Sequence, residues 1–285
     1  ILAQAISPIC LNQQPLAVVQ MFARISGQPC APDVLSPRVG RSASQLLQHF
    51  PRRRLHTVGN PLVTSDSGVK IVCFGDSITA GYHSGGKYFE PYGKTLSSYM
   101  MKLGCRATVR VNGLCGMTAR DMAAKMSHPA IPDVTGTIRK GLNVLLDGKP
   151  DLVILMAGTN DLGMGMSPQA ILSDICTLHR ACHARGIRTV AVAPSTVAHG
   201  PSTFGRQQLA TNLQKWARAT PYVVAYCDMM DIIPHTGPSP LWDVDGLHLS
   251  ASGSKALGKC LAPRLRHLVE KRKGNSVTHV VDLPK

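Results

Sequence analysis

Five short runs of apolar residues recur along the chain, and segments with helical periodicity separate them. The clearest run spans residues 151–157, where every residue after Asp151 is apolar. A strand that is apolar at nearly every position is buried on both faces of its sheet. The other runs span residues 69–74, 107–111, 189–193 and 222–227. This alternation predicts an α/β fold with three α/β/α layers around a five-stranded parallel sheet.

The segments between the runs carry helix start and stop signals. The strongest helix prediction covers residues 167–185, where Ser167 is a suitable N-cap, Pro168 fits the first helical position and Gly186 ends the helix. Further helices are predicted over 91–103, 118–126, 206–219 and 250–270, and another within 131–146.

Charge divides the chain into three predicted parts. The sequence has 285 residues, with 31 Lys and Arg against 16 Asp and Glu. Residues 1–68 form a basic, acid-poor N-terminal extension with six Arg and two Asp, 69–268 form the folded domain, and 269–285 form a basic tail. The 44% of hydrophobic residues excludes disorder of the whole chain. No apolar run reaches the roughly 18 residues of a membrane span.

The basic flanks leave the partners and the compartment open. An Arg-rich, acid-poor extension is typical of organelle targeting, of a disordered segment, or of attraction to an anionic membrane surface. No aromatic residues alternate with the basic runs, so no specific nucleic-acid partner is expected. The nine cysteines have mostly apolar neighbours and are expected as free thiols, which favours a reducing compartment. Cys115 is the exception, because it borders a loop where substrate is expected to reach it.

Polar residues and glycines follow the predicted strands, at the edge of a parallel sheet where ligands bind. Ser77 comes directly after the first run and Asn160 after the third, while Gly116 follows the second. Asp245 lies three residues before His248, a spacing at which a carboxylate can orient the imidazole. A nucleophile, a base, an orienting acid and oxyanion donors are the groups that acyl transfer needs.

Four sequence blocks carry a family resemblance. They are GDSIT at 75–79, GLCGMT at 113–118, GTND at 158–161 and DGLH at 245–248. Over about residues 69–268 the chain resembles the GDSL or SGNH hydrolases, a family of serine esterases and lipases. The form of the second block is similar to the arylesterase and acyltransferase branch. The resemblance implies a flavodoxin-like fold and chemistry that needs no cofactor or metal.

The resemblance also implies residue roles. Ser77 would be the nucleophile, and Asp245 and His248 would complete the triad. The backbone N–H groups of Ser77 and Gly116 and the side chain of Asn160 would form the oxyanion hole. Asp243, five residues before His248, is the rival for the orienting role.

Other side chains near these blocks are candidates for substrate contact or for a different site. Asp76, Tyr82, Thr159 and Met164 are expected to bind substrate. Cys176, His179 and His183 share one face of a predicted helix and could ligate a metal, although an ordinary helix face is the preferred interpretation.

The sequence therefore predicts a serine esterase that hydrolyses small acyl, acetyl or aryl esters through an acyl-enzyme. A lysophospholipase, lipase or acyltransferase using the same site is the alternative. A third hypothesis, based on charge alone, is a binder of anionic surfaces or nucleic acid in which the hydrolase fold is incidental. A small-molecule ester is the expected partner, and the oligomeric state is left open.

Overall fold

The computed structural model describes residues 68–195, 202–235 and 239–269. The predicted basic tail and nearly all of the predicted N-terminal extension lie outside these ranges. Within them, no helix combines the length and the apolar composition that a membrane span requires.

The core of the fold is one sheet of five parallel strands. The strands are β1 (Val69–Gly75), β2 (Ala107–Gly113), β3 (Leu152–Met156), β4 (Arg188–Ala193) and β5 (Val223–Asp228). Their order is β2-β1-β3-β4-β5, which is the flavodoxin-like arrangement. In this order the chain reverses direction across the sheet beside β1, so a ligand crevice is expected at the carboxyl end of that strand. The predicted fold class is confirmed.

Helices connect the strands and cover the sheet. They are α1 (Ser77–Ala80), α2 (Tyr92–Lys102), α3 (Ala119–Ala124), α4 (Leu142–Leu146), α5 (Thr159–Gly163), α6 (Pro168–His183), α7 (Ser202–Arg218), α8 (Met229–Ile232) and α9 (Ala251–Val269). As predicted, Ser167 caps α6 by accepting the Ala170 N–H, and Pro168 opens the helix.

Two apolar cores lie on the two faces of the sheet. Successive side chains of a strand point to opposite faces, and in β1 Ile71 and Cys73 join one core while Val72 and Phe74 join the other. Helices α2 and α9 supply buried residues to the first core, and α3, α6 and α7 supply them to the second. The result is the predicted three-layer α/β/α architecture.

Two small hairpins were not predicted. In the aromatic hairpin (residues 82–89), Tyr82–His83 pairs with Tyr88–Phe89. In the rim hairpin (residues 131–139), Ile131–Pro132 pairs with Ile138–Arg139. The prediction placed only a helix within 131–146, and the structure confines that helix to α4. Strands of two residues are too short to give a periodic signal, which is why the sequence does not predict them.

The described cysteines are free thiols, and six of the seven are buried. The expectation that Cys115 is exposed to substrate is wrong, since its side chain is 1% exposed. The rim hairpin covers its loop, with the Val134 N–H donating to the Cys115 carbonyl at 3.4 Å. Burial raises the pKa of the Cys115 thiol to about 12.

The histidines of α6 bind a threonine. His179 Nδ1 and His183 Nε2 lie 2.7 Å and 2.9 Å from the Thr189 hydroxyl of β4. Among the described residues, no three His, Cys, Asp or Glu side chains are grouped to hold a metal ion. The helix face that suggested a metal site is therefore a hydrogen-bonded contact between α6 and the sheet.

Candidate active site

Ser77 is the first residue of α1, immediately beyond β1. Asp76 caps this helix, because its Oδ1 accepts the Ile78 N–H at 3.0 Å. The N–H of a residue at the first helical position has no acceptor inside the helix. The strand and the cap thus fix the Ser77 hydroxyl at the carboxyl edge of the sheet, with its own N–H available beside it.

The Ser77 hydroxyl meets a hydrogen-bonded pair from the loop before α9. Ser77 Oγ lies 2.9 Å from His248 Nε2, and His248 Nδ1 lies 2.6 Å from Asp245 Oδ2. The other Asp245 oxygen, Oδ1, accepts the backbone N–H groups of Leu247 and His248, both at 2.9 Å. These contacts hold the loop in the conformation that joins the three side chains, although Ser77 and His248 are 171 residues apart.

The Asp245 carboxylate is held in its charged form. Burial alone would raise its pKa, but the hydrogen bond and charge of His248 and the two backbone N–H donors outweigh burial and lower the pKa to about 2. Asp243, the rival candidate, faces another way. Its Oδ2 accepts the Ser84 N–H at 2.6 Å, which ties the loop to the aromatic hairpin.

The loops after β2 and β3 bring Gly116 and Asn160 to the same edge. Gly116 has φ +75°, and a Cβ there would lie 2.6 Å from a Val134 methyl, so only glycine fits. In the described part of the chain, the Gly116 N–H donates to no protein acceptor. The Asn160 amide donates one hydrogen to the Met117 carbonyl at 2.8 Å, which fixes the amide and leaves its second hydrogen for another acceptor.

Two of the four residues expected to bind substrate are inside the protein. Asp76 is fully buried and Thr159 is 4% exposed, so neither side chain offers a surface to substrate. Burial raises the pKa of Asp76 to about 6, against the hydrogen bond from Ile78 and the interaction with the Thr159 hydroxyl. We correct both assignments: Asp76 supports the turn that carries Ser77, and Thr159 lies beneath it.

The other two expected residues are at the surface of the site. The ring of Tyr82 contacts the imidazole of His248, with 4.6 Å between centroids. Met164 is half-exposed, and its N–H donates to the Asn160 carbonyl at 3.0 Å. Substrate contact by these two side chains stays a prediction.

Sequence reasoning missed the residues that brace these loops. Asp133 Oδ2 accepts the Cys115 N–H at 3.3 Å, and its Oδ1 accepts the Thr135 and Thr137 N–H groups. His235 Nε2 lies 2.8 Å from the Gly246 carbonyl in the loop of Asp245. The Asp-Val-Thr-Gly-Thr stretch at 133–137 is a turn signal that indicates the first, whereas no local pattern indicates the second.

Comparisons with known proteins agree with the fold. The model of the GDSL-like lipase/acylhydrolase family matches residues 73–256. No curated protein matches the chain in sequence. A structure assigned as an arylesterase, from Agrobacterium tumefaciens, has 26% identity and a TM-score of 0.54, covering 70% of this chain and 99% of that one.

Two further structures share the fold at lower identity. A carbohydrate acetylesterase family member from Sinorhizobium meliloti has 21% identity and a TM-score of 0.54, covering 70% of this chain and 99% of that one. A lipase/acylhydrolase from Enterococcus faecalis has 19% identity and a TM-score of 0.53, covering 72% of this chain and all of that one. The chain therefore belongs to the GDSL-like lipase/acylhydrolase family and is a hydrolase.

Proposed function

We propose that the chain is a serine esterase that hydrolyses small acyl, acetyl or aryl esters through an acyl-enzyme. The observation that supports this most is the hydrogen-bonded line from Ser77 Oγ through the His248 ring to Asp245. Serine hydroxyls are weak nucleophiles unless an adjacent base takes the proton, and a base works best when a third group orients it.

In the first step, Ser77 Oγ attacks the ester carbonyl carbon while His248 Nε2 takes the hydroxyl proton. Asp245 accepts the Nδ1–H and stabilises the imidazolium that forms. The carbonyl π electrons move to the oxygen, which becomes the oxyanion of the tetrahedral intermediate.

The oxyanion hole consists of the Ser77 N–H, the Gly116 N–H and the free hydrogen of the Asn160 amide. Such donors stabilise the transition state because they are fixed before charge develops, and removing one costs about 3 kcal/mol in related sites. The contact between Asn160 and the Met117 carbonyl, and the glycine conformation at 116, provide that preorganisation.

The intermediate collapses when the bond to the alcohol oxygen breaks and His248 gives that oxygen its proton. Water then attacks the acyl-enzyme with His248 again as base, and the carboxylic acid leaves as Ser77 recovers its proton. If an alcohol replaces water in the second half, the same site transfers the acyl group, so acyl transfer is an alternative outcome of one mechanism.

Arylesterase-type substrates have the most support. The 26%-identical neighbour is assigned as an arylesterase. In this chain Tyr82 and Phe89 meet edge to face, with 5.9 Å between centroids, beside the His248 ring. Aromatic faces at this position suit the leaving aryl or acyl group.

A lysophospholipase or lipase is the second candidate. The observation that favours it is the exposure of large apolar side chains close to the site, among them Tyr88 and Val244. Esters of long acyl chains are presented at lipid surfaces, where such side chains can be buried.

The test is hydrolysis of nitrophenyl esters of increasing acyl length, with mass detection of the acyl-enzyme. We expect hydrolysis to be fastest with short acyl groups, and an acyl adduct on Ser77 in quenched reactions. Ser77→Ala should lose both at unchanged folding, while Ser173→Ala, an exposed serine on α6, keeps both. Full activity of Ser77→Ala would refute the mechanism, and a preference for long acyl chains would favour the lipase.

A further inference from the structure

Exposed apolar side chains concentrate at one edge of the sheet. Of the nine large apolar side chains that are exposed in the described ranges, Met101 and Tyr222 lie at the amino edge. The remaining seven lie on hairpins, loops or helix ends at the carboxyl edge: Tyr88, Phe89, Val134, Ile138, Met164, Phe204 and Val244. Scattered exposed apolar residues are normal, whereas a set gathered around one site marks an interaction surface.

Several of these side chains lie beside the His248 side of the site. Phe89 contacts Tyr82, which in turn contacts the His248 ring. Tyr88 stacks on His83 at 5.8 Å and remains 63% exposed. Val244, directly before Asp245, is completely exposed.

Others lie beside the oxyanion-hole side. Val134, in the turn of the rim hairpin, lies beside Gly116, where a Cβ would be 2.6 Å from a Val134 methyl, and Ile138 is on the second strand of that hairpin. Met164 follows α5, the helix that carries Asn160. These six side chains thus border the mouth of the site from two sides.

The fold holds the aromatic hairpin in place. The Ser84 N–H donates to Asp243 Oδ2 at 2.6 Å, and the Glu90 N–H donates to the Gly81 carbonyl at 2.8 Å. The projection of Tyr88 beyond the surface is therefore part of the fold.

Two exposed lysines lie next to these exposed apolar side chains in the sequence. Lys87 precedes Tyr88, and Lys140 follows the rim hairpin. Neither forms an ion pair within the described part of the chain. The nearby carboxylates of Asp243 and Asp245 are engaged by hydrogen bonds from the protein. The edge therefore presents exposed apolar side chains beside two lysines without an ion pair in the described residues, while the two carboxylates next to Val244 are bound within the protein.

We propose that this edge docks on an anionic lipid surface, with Tyr88, Ile138 and Val244 entering the headgroup region and Lys87 and Lys140 meeting the lipid charge. Aromatic and aliphatic side chains flanked by lysine are suited to that boundary, where the lysine stems stay apolar and the ammonium groups meet phosphate. A second copy of the chain fits less well, because a two-fold contact through this edge would place the lysines of both copies in one interface.

Docking would place Ser77 against esters that partition into the interface. That consequence, unlike the docking itself, rests on the proposed esterase function. It does not fix the acyl length, since a short acyl ester of an apolar alcohol partitions into the same boundary.

The test is co-sedimentation of the full chain with vesicles of phosphatidylcholine alone and with added phosphatidylserine. The test variant combines Tyr88→Ser, Ile138→Ser and Val244→Ser. Its matched control combines Met101→Ser and Tyr222→Ser at the amino edge. Because burial of one large apolar side chain changes a partition coefficient about tenfold or more, we expect the triple variant to bind at least about 100-fold more weakly. The control should bind like the parent chain.

Charge is tested in the same way with Lys87→Gln and Lys140→Gln, against Lys102→Gln and Lys149→Gln at the amino edge. The first pair should reduce binding to phosphatidylserine vesicles about tenfold or more, and the second pair should leave it unchanged. Equal losses of vesicle binding in the two pairs would overturn the proposal that Lys87 and Lys140 contact the lipid. Such losses would show that binding depends on net charge and not on the position of the lysines.

Absence of vesicle binding by the parent chain, or unchanged binding by the triple variant, would overturn the docking proposal. A dimer that the triple variant converts to a monomer would also overturn it and assign the edge to a second copy. Hydrolysis of a water-soluble acetate ester is measured alongside and should be equal in all variants. Vesicle binding at this edge without any ester hydrolysis would sustain docking while refuting the proposed function.

Discussion

The ring of Tyr82 lies over the imidazole of His248, with 4.6 Å between centroids and 42° between planes. Since His248 becomes positively charged during proton transfer in the proposed mechanism, an aromatic face at this distance stabilises the charged form. The same contact restricts the orientation of the ring that Asp245 holds from its other nitrogen.

We expect Tyr82→Leu to lower kcat about fivefold, with Tyr82→Phe close to the parent chain. The reason is that the contact is made by the ring face, and a cation over an aromatic face is worth about 1 kcal/mol. Steady-state hydrolysis of nitrophenyl acetate measures kcat for the two variants and the parent chain. An equal loss in the phenylalanine variant would instead assign the function to the hydroxyl.

Asp245→Asn should lower kcat by about 10⁴-fold, because an amide leaves the imidazole in the wrong tautomer. Asp243→Asn should cost much less, since Asp243 contacts the Ser84 backbone and not the His248 ring. Kinetics of the two purified variants at one pH decide between them. A larger loss in Asp243→Asn would reverse the assignment.

The low pKa of Asp245, about 2, predicts that this residue does not cause the loss of activity in acid. In the folded chain, Asp245 remains ionised at pH values well below the usual pKa range of a carboxyl group. The acid limb of the activity profile should therefore report another group, and Asp245→Asn should lower the plateau of that profile, which initial rates over a series of pH values measure.

The sequence predicts Ser77, Gly116 and Asn160 as site residues because they lie in short blocks directly after apolar strands. Ser77 and Asn160 follow β1 and β3, and Asp245 lies three positions before His248, so strand position and local spacing are enough to predict them. The burial of Asp76 could not be predicted in this way, because it depends on packing between the turn after β1 and the residues around Thr159. Local spacing also left Asp243 open, and only the position of the aromatic hairpin shows what it binds.

In the rim hairpin, a local pattern signals the turn at 133–137 but not the contact that this turn makes with the loop of Gly116. Asp133 joins that hairpin to the loop of Gly116 through the Cys115 N–H. Asp133→Ala should therefore lower kcat about tenfold with little change in KM, and destabilise the fold by about 2 kcal/mol, since the buried Cys115 N–H loses its acceptor.

Thr135→Val is the matched control for Asp133. It removes the hydroxyl contact to Asp133 Oδ1 at 2.6 Å and leaves the contact with Cys115 in place. It should destabilise the chain while kcat is retained. Equal kcat losses in Asp133→Ala and Thr135→Val would show that the hairpin as a whole, and not this carboxylate, supports the site.

The histidines that bind Thr189 should make stability fall in mild acid. Burial and the neighbouring His183 lower the pKa of His179 to about 3, and burial lowers the pKa of His183 to about 4. Both start from an unfolded value of 6.5. Between pH 6.5 and 4 the unfolded chain takes up protons that the folded chain does not, so the free energy of unfolding decreases as pH falls. The stability contribution is complete above pH 6.5, and for two groups the slope of the free energy of unfolding against pH approaches about 2.7 kcal/mol per pH unit.

Urea unfolding at a series of pH values measures this slope. His183→Phe keeps an aromatic ring between Trp216 and Tyr222 and should remove about half of the slope. His267→Phe, an exposed histidine on α9, should leave the slope unchanged. An unchanged slope in His183→Phe would assign the acid sensitivity to carboxyl groups instead.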